Sequence, residues 1–540
     1  MISIYHNSED PFSLYGIHHF IEKTGIAFEI NKPSSSGIVI AYGVEVKGDF
    51  VIKIENNEIQ DHICGRISLH KEKIPLCETP HDTGPGFEAV AYFEIPDKRY
   101  PCLTRNEGGI TLGIDIFKET GYLLSGHLDN IWDNLDETTK TEIISKPITD
   151  FLENLIYSSI LDACEKLHIP LVQKSYWPNN KSFAVCLTHD VDELKKTYQY
   201  FTRSILCLVR GDFLGIKAQL LTLLQKLKGK EPYWTFEDIF SIEKRFQAKS
   251  TFFILKESGK PLLFYRKSWS VLGRNRDLQG PEIQNLIRLL KENGNEIGIH
   301  GSYFSFKNPQ LLREETRELE QLINEPVIGT RQHHLNLDIP KTWEYQVQTG
   351  LKYDSSLGFN HRIGFRWGTS WPFSLLNGKY NISLLEIPLI IMDGGLTSIK
   401  NNINKCLNLA EEVKQYRGVL TLLWHPRVFN TQEYPDAWNI YVKINQHCQE
   451  GGAWITRGRD IYDWMSMRNQ QHFSCNYHNS KCTIISSGTN SANFFTIYLP
   501  KGSGGTILSE NAEIIGKEGN FIHIKTHDLN NNNKIEVDIT

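Results

Sequence analysis

The middle of the chain alternates short apolar runs with longer segments in which apolar residues recur at helical spacing. The apolar runs are continuous, as in strands that are buried on both faces of a parallel sheet. They are FAVCL (183–187), KSTFFIL (249–255), NEIGIH (295–300), PVIGTR (326–331), SLLEIPLII (383–391) and GVLTLLWH (418–425). Between two of them, residues 281–294 begin with Pro and end with Gly, which indicates a helix. The pattern predicts parallel strands joined by crossover helices, either as a barrel or as an open doubly wound sheet.

The two ends of the chain follow other patterns. Residues 1–135 contain short β-like runs broken by Gly, Asn and Pro, which predicts a mixed α/β accessory domain. Residues 136–182 carry Ile, Leu and Phe at helical spacing and predict a helical linker. Residues 472–540 contain short alternating runs between Gly and Asn clusters, which predicts a small β-rich domain. Within the central domain, 183–468, the amphipathic segment 197–235 is expected to be an insertion that forms a lid or a packing helix.

The composition is that of an ordinary folded protein. The 540 residues are 40% hydrophobic and 22% charged, and a chain of this length is expected to form about two to four domains. A net charge of −5 gives no general reason to expect nucleic acid or an anionic membrane surface as a partner. The sequence has no window of about 18 uninterrupted apolar residues, so no membrane insertion is expected.

The cysteines and the N-terminus together bear on the cellular compartment. The N-terminus has no basic start followed by an apolar run, so no signal peptide is predicted. The ten cysteines are scattered, and none forms a CxxC pair. Without a secretory signal, they indicate reduced thiols in a cytoplasmic enzyme of bacterial type.

Several of the predicted strands end in a polar side chain that can do chemistry. Each of these has an ordinary explanation when taken alone, such as a helix N-cap for an aspartate or a hydrogen-bonded core residue for a histidine. At the carboxyl ends of parallel strands, however, loops converge over one face of the sheet. The repeated strand endings therefore predict a shared site at one rim. Its candidate residues are Asp190, Asp192, His300, Arg331, His333, His334 and His425.

The two aspartates are the most informative pair. Asp190 and Asp192 are two residues apart, so in an extended strand their side chains point to the same side. Two carboxylates on one side repel each other, and one would take up a proton unless a cation lies near them. A divalent ion bound by Asp192 and imidazoles resolves this repulsion and leaves Asp190 to accept a proton from water. The spacing alone leaves two interpretations open: a hydrolytic metal site, or N-caps of the helix-like segment that follows.

At these residues the chain resembles the polysaccharide deacetylases, the NodB-homology carbohydrate esterases of family 4. The family's T-F-D-D motif has a spaced variant here in THDVD, which implies Asp190 as the catalytic base and Asp192 as a metal ligand. The Arg-containing strand end of the family is matched by Arg331 in GTRQHH, and its Leu-x-x-His motif by His425 in LLWH. The resemblance covers residues 183–466 and implies an α/β fold, an irregular (β/α)7-type barrel.

One motif of the family is incomplete. The family has a second His four residues after the first, whereas HGSYF keeps His300 and has Phe304 in the second place. Asp192 and His300 alone make a weak site, because a catalytic zinc usually has three protein ligands. His333 is our candidate for the missing ligand, and His334 is the second choice.

The resemblance implies a metal-dependent hydrolase of non-peptide carbon–nitrogen bonds, which removes N-acetyl or O-acetyl groups from a carbohydrate or glycan precursor. The expected ion is zinc, with cobalt, nickel or iron(II) as alternatives. In this reaction His425 would protonate the leaving group, and Arg331 would orient Asp190 and favour its charged form. Two other functions stay open. One is a carbohydrate-binding pseudoenzyme that has lost the metal, and the other is an amide hydrolase acting on a non-sugar substrate.

Further side chains near these motifs are candidates for substrate binding. Tyr303, Trp367 and Trp371 are candidates for stacking on sugar rings, and packing within the protein is the alternative for each. Asp393 follows a predicted strand and could either tune the site or cap a turn, of which the turn cap is the favoured interpretation. Carbohydrate is thus the expected partner, whereas nucleic acid is not.

Overall fold

The computed structural model describes most of the chain. For those residues between 65 and 102 that it describes, and for a few others, it describes only the backbone. The described residues are 1–34, 36–56, 65–69, 72–76, 88–95, 98–257, 274–275, 277–377, 380–396, 402–487, 493–527 and 534–540. They divide into two compact units. The first unit comprises Met1–Ser182, Trp367–Thr369 and Trp464–Thr540, and the second comprises Phe183–Arg366 and Ser370–Asp463.

The first unit begins with a nine-stranded sheet and five helices. These elements are β1 (Ile2–His6), α1 (Pro11–Thr24), β2 (Phe28–Ile30), β3 (Ile38–Tyr42), β4 (Phe50–Ile54), β5 (Gly65–Leu69), β6 (Glu72–Leu76), β7 (Glu88–Ile95), β8 (Lys98–Asn106), β9 (Gly109–Leu112), α2 (Ile116–Leu123), α3 (His127–Ile131), α4 (Glu137–Ser145), α5 (Ile148–Leu167) and β10 (Leu171–Lys174). The sheet has the order β2-β1-β3-β4-β9-β8-β7-β5-β6. Helix α1 starts where Asp10 accepts a hydrogen bond from the backbone N–H of Ser13 and ends at Gly25 in the left-handed region.

The second unit contains the predicted parallel strands. Its elements are β11 (Ala184–Val191), α6 (Gln199–Arg210), α7 (Phe213–Leu227), α8 (Phe236–Arg245), β12 (Thr251–Leu255), α9 (Pro281–Glu292), β13 (Glu296–Gly301), α10 (Pro309–Ile323), β14 (Gly329–Gln332), α11 (Lys341–Thr349), β15 (Tyr353–Asp354), β16 (Phe373–Asn377), β17 (Tyr380–Glu386), β18 (Leu389–Met392), α12 (Asp393–Leu396), α13 (Asn402–Gln415), β19 (Val419–Leu423), α14 (Ala437–Glu450) and β20 (Trp454–Thr456). Helix α15 (Gly458–Gln470) begins in this unit and ends in the first.

Ten strands form the sheet of the second unit, in the order β16-β17-β15-β14-β13-β12-β11-β19-β18, with β20 also paired to β11. Every pair from β17 to β18 is parallel, and only β16 is antiparallel to its neighbour. A mixed α/β fold is therefore confirmed. The hydrogen-bonded order of the described strands is an open path, so the closed barrel of seven strands stays a prediction.

Strand β11 shows how the sheet positions polar groups. All eight of its residues are buried, because both faces of the strand are covered. Val185, Leu187 and Val191 join the hydrophobic core on one face. Thr188 and Asp190 point to the other face, where both accept hydrogen bonds from one arginine, Arg331. The alternation expected from the sequence is thus present in this strand.

The C-terminal part of the first unit is all β. Its strands are β21 (His472–His478), β22 (Lys481–Ser487), β23 (Phe494–Tyr498), β24 (Gly505–Ile507), β25 (Ala512–Glu518), β26 (Phe521–Thr526) and β27 (Lys534–Ile539). They form two antiparallel four-stranded sheets, and one of these includes β10, which pairs with β23. The segment predicted as a helical linker therefore contains a strand as well as helices. None of the described helices is both long and apolar enough to cross a bilayer.

Candidate metal centre and active site

The carboxyl ends of the parallel strands of the second unit surround a cavity of about 710 Å³. Because neighbouring strands run in the same direction, the polar residues that end them lie along one edge of the sheet. The volume is in the usual range for a site that binds a small molecule. The cavity is lined by Asp190, Asp192, Arg274, His300, Tyr303, His333, His334, Leu335, Asn336, Asn360, His361, Met392, Asp393, Gly394, Leu423, His425 and Arg427.

Three of these residues form a candidate metal-binding group. Asp192, His300 and His333 each offer one ligand atom, and the three atoms all lie within 4.8 Å of one another. The Nε2 atom of His300 is 3.4 Å from Oδ1 of Asp192, and Nε2 of His333 is 3.8 Å from the same oxygen. One carboxylate and two imidazoles suit zinc and the neighbouring divalent transition metals.

Each histidine of the group is oriented by a hydrogen bond from its other ring nitrogen. The Nδ1 atom of His300 lies 2.9 Å from the carbonyl oxygen of Arg331, and Nδ1 of His333 lies 3.1 Å from Oε2 of Glu257. A carbonyl or carboxylate oxygen only accepts, so each Nδ1 carries the proton and each Nε2 is left to face Asp192. Partners of this kind fix the tautomer of metal-binding histidines.

The pKa values of the two histidines are shifted in opposite directions. Burial lowers the pKa of His333 well below its usual range, so this ring is neutral, the form in which a metal is bound. For His300, burial lowers the pKa, but the carboxylates of Asp190 and Asp192 outweigh it and raise the pKa overall. The same two carboxylates would favour a metal cation in place of that proton.

The carboxylate of Asp192 is held by one of its oxygens. Oδ2 accepts a hydrogen bond of 3.1 Å from Arg427 and lies 2.9 Å from Nη1 of Arg274. Burial alone would raise the pKa of Asp192, but Arg274 and the nearby imidazoles hold it well below its usual range. Within the described part of the chain, Oδ1 of Asp192 and Nε2 of His333 are buried atoms without a hydrogen-bond partner. Two unsatisfied ligand atoms that face each other fit a bound divalent ion.

Asp190 lies beside this group and is paired with a buried arginine. Its Oδ1 accepts a hydrogen bond of 3.0 Å from Arg331, and its Oδ2 is 3.6 Å from Nε2 of His300. The guanidinium of Arg331 also donates to Oγ1 of Thr188, and to the carbonyl and hydroxyl oxygens of Ser355. These hydrogen bonds fix the guanidinium and, through it, the position of Asp190.

A second pair, His425 with Asp393, lies close to Asp192. The backbone N–H of His425 donates to Oδ2 of Asp393 over 2.7 Å, and Nδ1 of the ring lies 2.9 Å from the same oxygen. Nε2 of His425 therefore faces the cavity, 3.8 Å from Oδ2 of Asp192. Burial would raise the pKa of Asp393, but His425 lowers it overall, so this carboxylate is charged. A histidine held in this way can donate a proton from Nε2.

The structure brings most of the predicted site residues together, but not all of them. Tyr303 lines the cavity, as does His334, which stacks against His333 but lies outside the metal-binding group. Trp367 and Trp371 are each about 1% exposed and do not line the cavity. The indole N–H of Trp367 donates to Asp129 over 3.0 Å, which is a packing role and not sugar stacking.

Sequence reasoning missed four residues of the site. Asp393 was interpreted as a turn cap, although it directly follows β18 and carried the same strand-end signal as the residues that were selected. Glu257 carried the signal as well, two residues after β12. Arg427 follows His425 closely but belongs to no motif. Arg274 lies far in sequence from every motif, so no pattern could have pointed to it.

Comparisons with known proteins give remote likenesses only. No family model and no curated protein matches the chain. Agd3, described as a novel carbohydrate deacetylase, aligns over 100% of this chain and 98% of its own, with 8% identity and a TM-score of 0.42. The catalytic domain of a peptidoglycan N-acetylglucosamine deacetylase from Eubacterium rectale covers 51% of this chain and 87% of its own, with 11% identity and a TM-score of 0.26. A CE4 family pseudoenzyme from Bacillus anthracis covers 53% and 66%, with 13% identity and a TM-score of 0.26. Values this low carry no inference about the family or the activity of this chain.

Proposed function

We propose that the protein is a metal-dependent deacetylase that hydrolyses N-acetyl or O-acetyl groups on a carbohydrate. The observation that carries the proposal is the convergence of ligand atoms of Asp192, His300 and His333 within 4.8 Å, in a cavity that two further pairs of side chains help to form. The pairs are Asp190 with Arg331, and His425 with Asp393. Their arrangement matches the roles that the motif resemblance implies for the same residues.

Asp192, His300 and His333 would hold the ion, which when bound polarises an acyl carbonyl and makes water more acidic. Asp190 would then accept a proton from the attacking water at Oδ2, because Arg331 already occupies Oδ1. Arg331 is a positioning residue, since it acts only through the carboxylate that it holds.

His425 would protonate the leaving group. Nδ1 is engaged with Asp393, so Nε2 is the atom that would give its proton to the departing amine or alcohol. Asp393 would stabilise the imidazolium before the transfer and keep the ring in place. Base and acid would thus be two different side chains that line the same cavity, as hydrolysis with two proton transfers requires.

Removing the base tests the proposal. We expect Asp190→Asn to lower acetate release from acetylated amino-sugar oligomers and sugar acetates by about 100-fold or more, because a general base contributes about that much. Metal content, measured by mass spectrometry, should stay at the wild-type level. Asp238→Asn, an exposed aspartate of α8, is the matched control and should leave both quantities unchanged. Full activity of Asp190→Asn would show that another group is the base.

A pseudoenzyme is the second candidate, and Phe304 in place of the family's second histidine is the observation in its favour. If the protein is a pseudoenzyme, the purified chain should carry no stoichiometric divalent ion and should release no acetate when zinc, cobalt, nickel or iron(II) is added. Acetate release from non-sugar amides alone would instead support an amide hydrolase.

A further inference from the structure

The helical hairpin that follows β11 carries an unusual concentration of exposed apolar side chains. We define the basic hairpin as residues 195–230, which include α6 and α7. Among the residues that the structure describes, fifteen large apolar side chains are exposed, and twelve of these lie in the hairpin. They are Tyr198, Phe201, Ile205, Leu206, Leu208, Val209, Phe213, Leu214, Leu220, Leu223, Leu224 and Leu227. Exposure on this scale marks a surface that contacts something else.

The hairpin has its polar side toward the protein and its apolar side outward, which is the reverse of the usual arrangement in a surface helix. Its inward side is polar: Gln219 and Thr222 are buried and accept hydrogen bonds of 2.7 and 2.8 Å from the ammonium group of Lys196. The hydroxyl of Tyr200 donates to the carbonyl of Thr222. An ordinary surface helix buries its apolar stripe and exposes its polar side. Here the polar side chains form hydrogen bonds within the protein, and the apolar side chains are exposed where they can contact an external apolar phase.

The tip of the hairpin is the most exposed part and is well formed. Val209 is 79% exposed, and Phe213 and Leu214 are each 81% exposed. Gly211 ends α6 in the left-handed region, and Asp212 caps α7 by accepting a hydrogen bond of 2.8 Å from a backbone N–H. The apolar side chains at the tip are therefore presented by a capped turn.

The charge of the hairpin is opposite to that of the whole chain. Residues 195–230 contain eight Lys and Arg but one acidic residue, Asp212, whereas the chain has a net charge of −5. Four of the basic residues are exposed and make no ion pair with any other described residue. They are Arg210, Lys217, Lys228 and Lys230. This positive charge is available to an external anion.

We propose that the basic hairpin binds the surface of an anionic lipid bilayer. Exposed Phe and Leu side chains would enter the interface, and Lys and Arg would lie at the level of the anionic headgroups. A second copy of the chain is a poorer occupant, because pairing two such hairpins would bring like charges together. The hairpin would lie on the bilayer and not cross it, in keeping with the length of its helices.

The base of the hairpin is fixed to the loop that also lines the cavity. The ammonium of Lys196 and the guanidinium of Arg203 both donate to Glu433, and Asn430 contacts Gln225. His425 and Arg427, a few residues earlier in the same loop, line the cavity. Lipid binding by the hairpin would therefore hold the cavity near the membrane surface. The binding itself does not depend on the proposed hydrolysis.

Vesicle co-sedimentation of the full-length chain tests the proposal. The probes are vesicles of phosphatidylcholine alone and vesicles that also contain phosphatidylglycerol, each at low and at high salt. We expect binding to the anionic vesicles at low salt, and weaker binding at high salt or without phosphatidylglycerol. The paired variant Phe213→Ser with Leu214→Ser should lower the partition coefficient by about tenfold or more, because two apolar side chains no longer enter the interface. Arg210→Gln with Lys217→Gln should lower it on the order of tenfold.

Matched controls remove residues of the same kind from other parts of the surface. Ile485→Ser with Leu508→Ser, at positions 52% and 51% exposed, and Lys501→Gln with Lys517→Gln should bind as the wild type does. Circular dichroism of each variant shows whether it is folded. Absence of binding to anionic vesicles, or equal binding by the tip variant and its control, overturns the proposal. A dimer seen by light scattering that the tip variant dissociates would also overturn it, because a second copy would then cover the surface.

Discussion

The two oxygens of Asp192 have different surroundings, and this difference defines the site. Oδ2 is held by Arg427 and Arg274, whereas Oδ1 has only imidazole neighbours and no hydrogen bond within the described residues. Hydrogen bonds to one oxygen of a carboxylate fix the orientation of the group, so that the other oxygen points in a fixed direction. For the proposed metal site, this means that the ligand geometry would be prepared before an ion arrives, which would reduce the cost of ordering the site.

At the scale of single residues, the sharpest prediction concerns His333. Changing His333→Ala removes one of three proposed protein ligands. We expect the zinc affinity to fall by about 100-fold or more, because even the loss of a residue that only supports a metal ligand can lower the affinity by about that factor. Competition with a chromogenic chelator measures the affinity. His334→Ala is the matched control, because the neighbouring imidazole lines the same cavity but lies outside the ligand group. An equal loss in the two variants would mean that His333 is not the specific ligand.

The sequence indicated which residues would meet at the rim, because each stood at the end of an apolar run. It could not indicate the residues that support them through hydrogen bonds from other parts of the chain. Arg274 reaches Asp192 across a large separation in sequence, and nothing in its local pattern marks it. Two of the three aromatic candidates lie outside the cavity lining for a related reason. Burial of Trp367 and Trp371 depends on tertiary packing, which spacing along the chain does not encode.

At the scale of elements, the continuous apolar runs identified the central strands of the sheet. The run at 383–391 is the exception, since it forms two strands, β17 and β18. Pro388 lies between them and has no N–H to donate to a ladder. Strands β15 and β20, of two and three residues, were missed because so short a segment shows no periodicity.

The packing of α1 on α5 gives a prediction for the effect of pH on stability. The ammonium of Lys23 on α1 donates to Asp150 and Glu153 on α5, and all three residues are buried. Burial would raise the pKa of Glu153, but His19 and Lys23 lower it below its ordinary value of 4.5. A carboxyl group whose pKa is lower in the folded chain stabilises the fold above the ordinary value and loses this effect as the pH falls through the folded pKa.

We therefore expect Glu153→Gln to lower the free energy of unfolding of the first unit by about 2–4 kcal/mol at neutral pH, as for a broken buried ion pair. The difference from wild type should shrink as the pH falls from the ordinary pKa of 4.5 through the lowered pKa of the folded chain, because the native carboxyl group then becomes protonated. Urea unfolding followed by circular dichroism across this pH range measures both effects. Glu9→Gln, at an exposed position, is the control. A difference that is constant with pH would show that the ion pair is not its cause.

At the scale of the whole molecule, the sequence predicted an α/β centre with different flanking regions. It did not predict that segments from both ends of the chain belong to one compact unit, because such an association depends on contacts between distant segments. The pairing of β10 with β23 is an example. The net charge of −5 is likewise no guide to local charge, because it is a sum over the whole chain and the hairpin is positive.

Metal removal should affect the stability of the second unit. A ligand that binds only the folded chain stabilises it by about 4 kcal/mol at a thousand times its dissociation constant. We expect chelation to lower the thermal midpoint of this unit by roughly 5–10 °C, and added zinc to restore it. Differential scanning calorimetry measures the shift. The same treatment of His333→Ala should change the midpoint little, and an equal shift in that variant would place the ion elsewhere.

The distribution of the ligand atoms along the sequence has a consequence for biogenesis. Asp192 directly follows β11, His300 lies in β13, and His333 directly follows β14, so their ligand atoms meet only when β11 through β14 have paired. A growing polypeptide has no complete set of donors until its third ligand has been synthesised. In a zinc finger the ion organises a short peptide, whereas here it would enter a finished sheet. If the chain binds a metal, loading would therefore be a late event, and the ion captured would be set by what the cell offers to the folded chain.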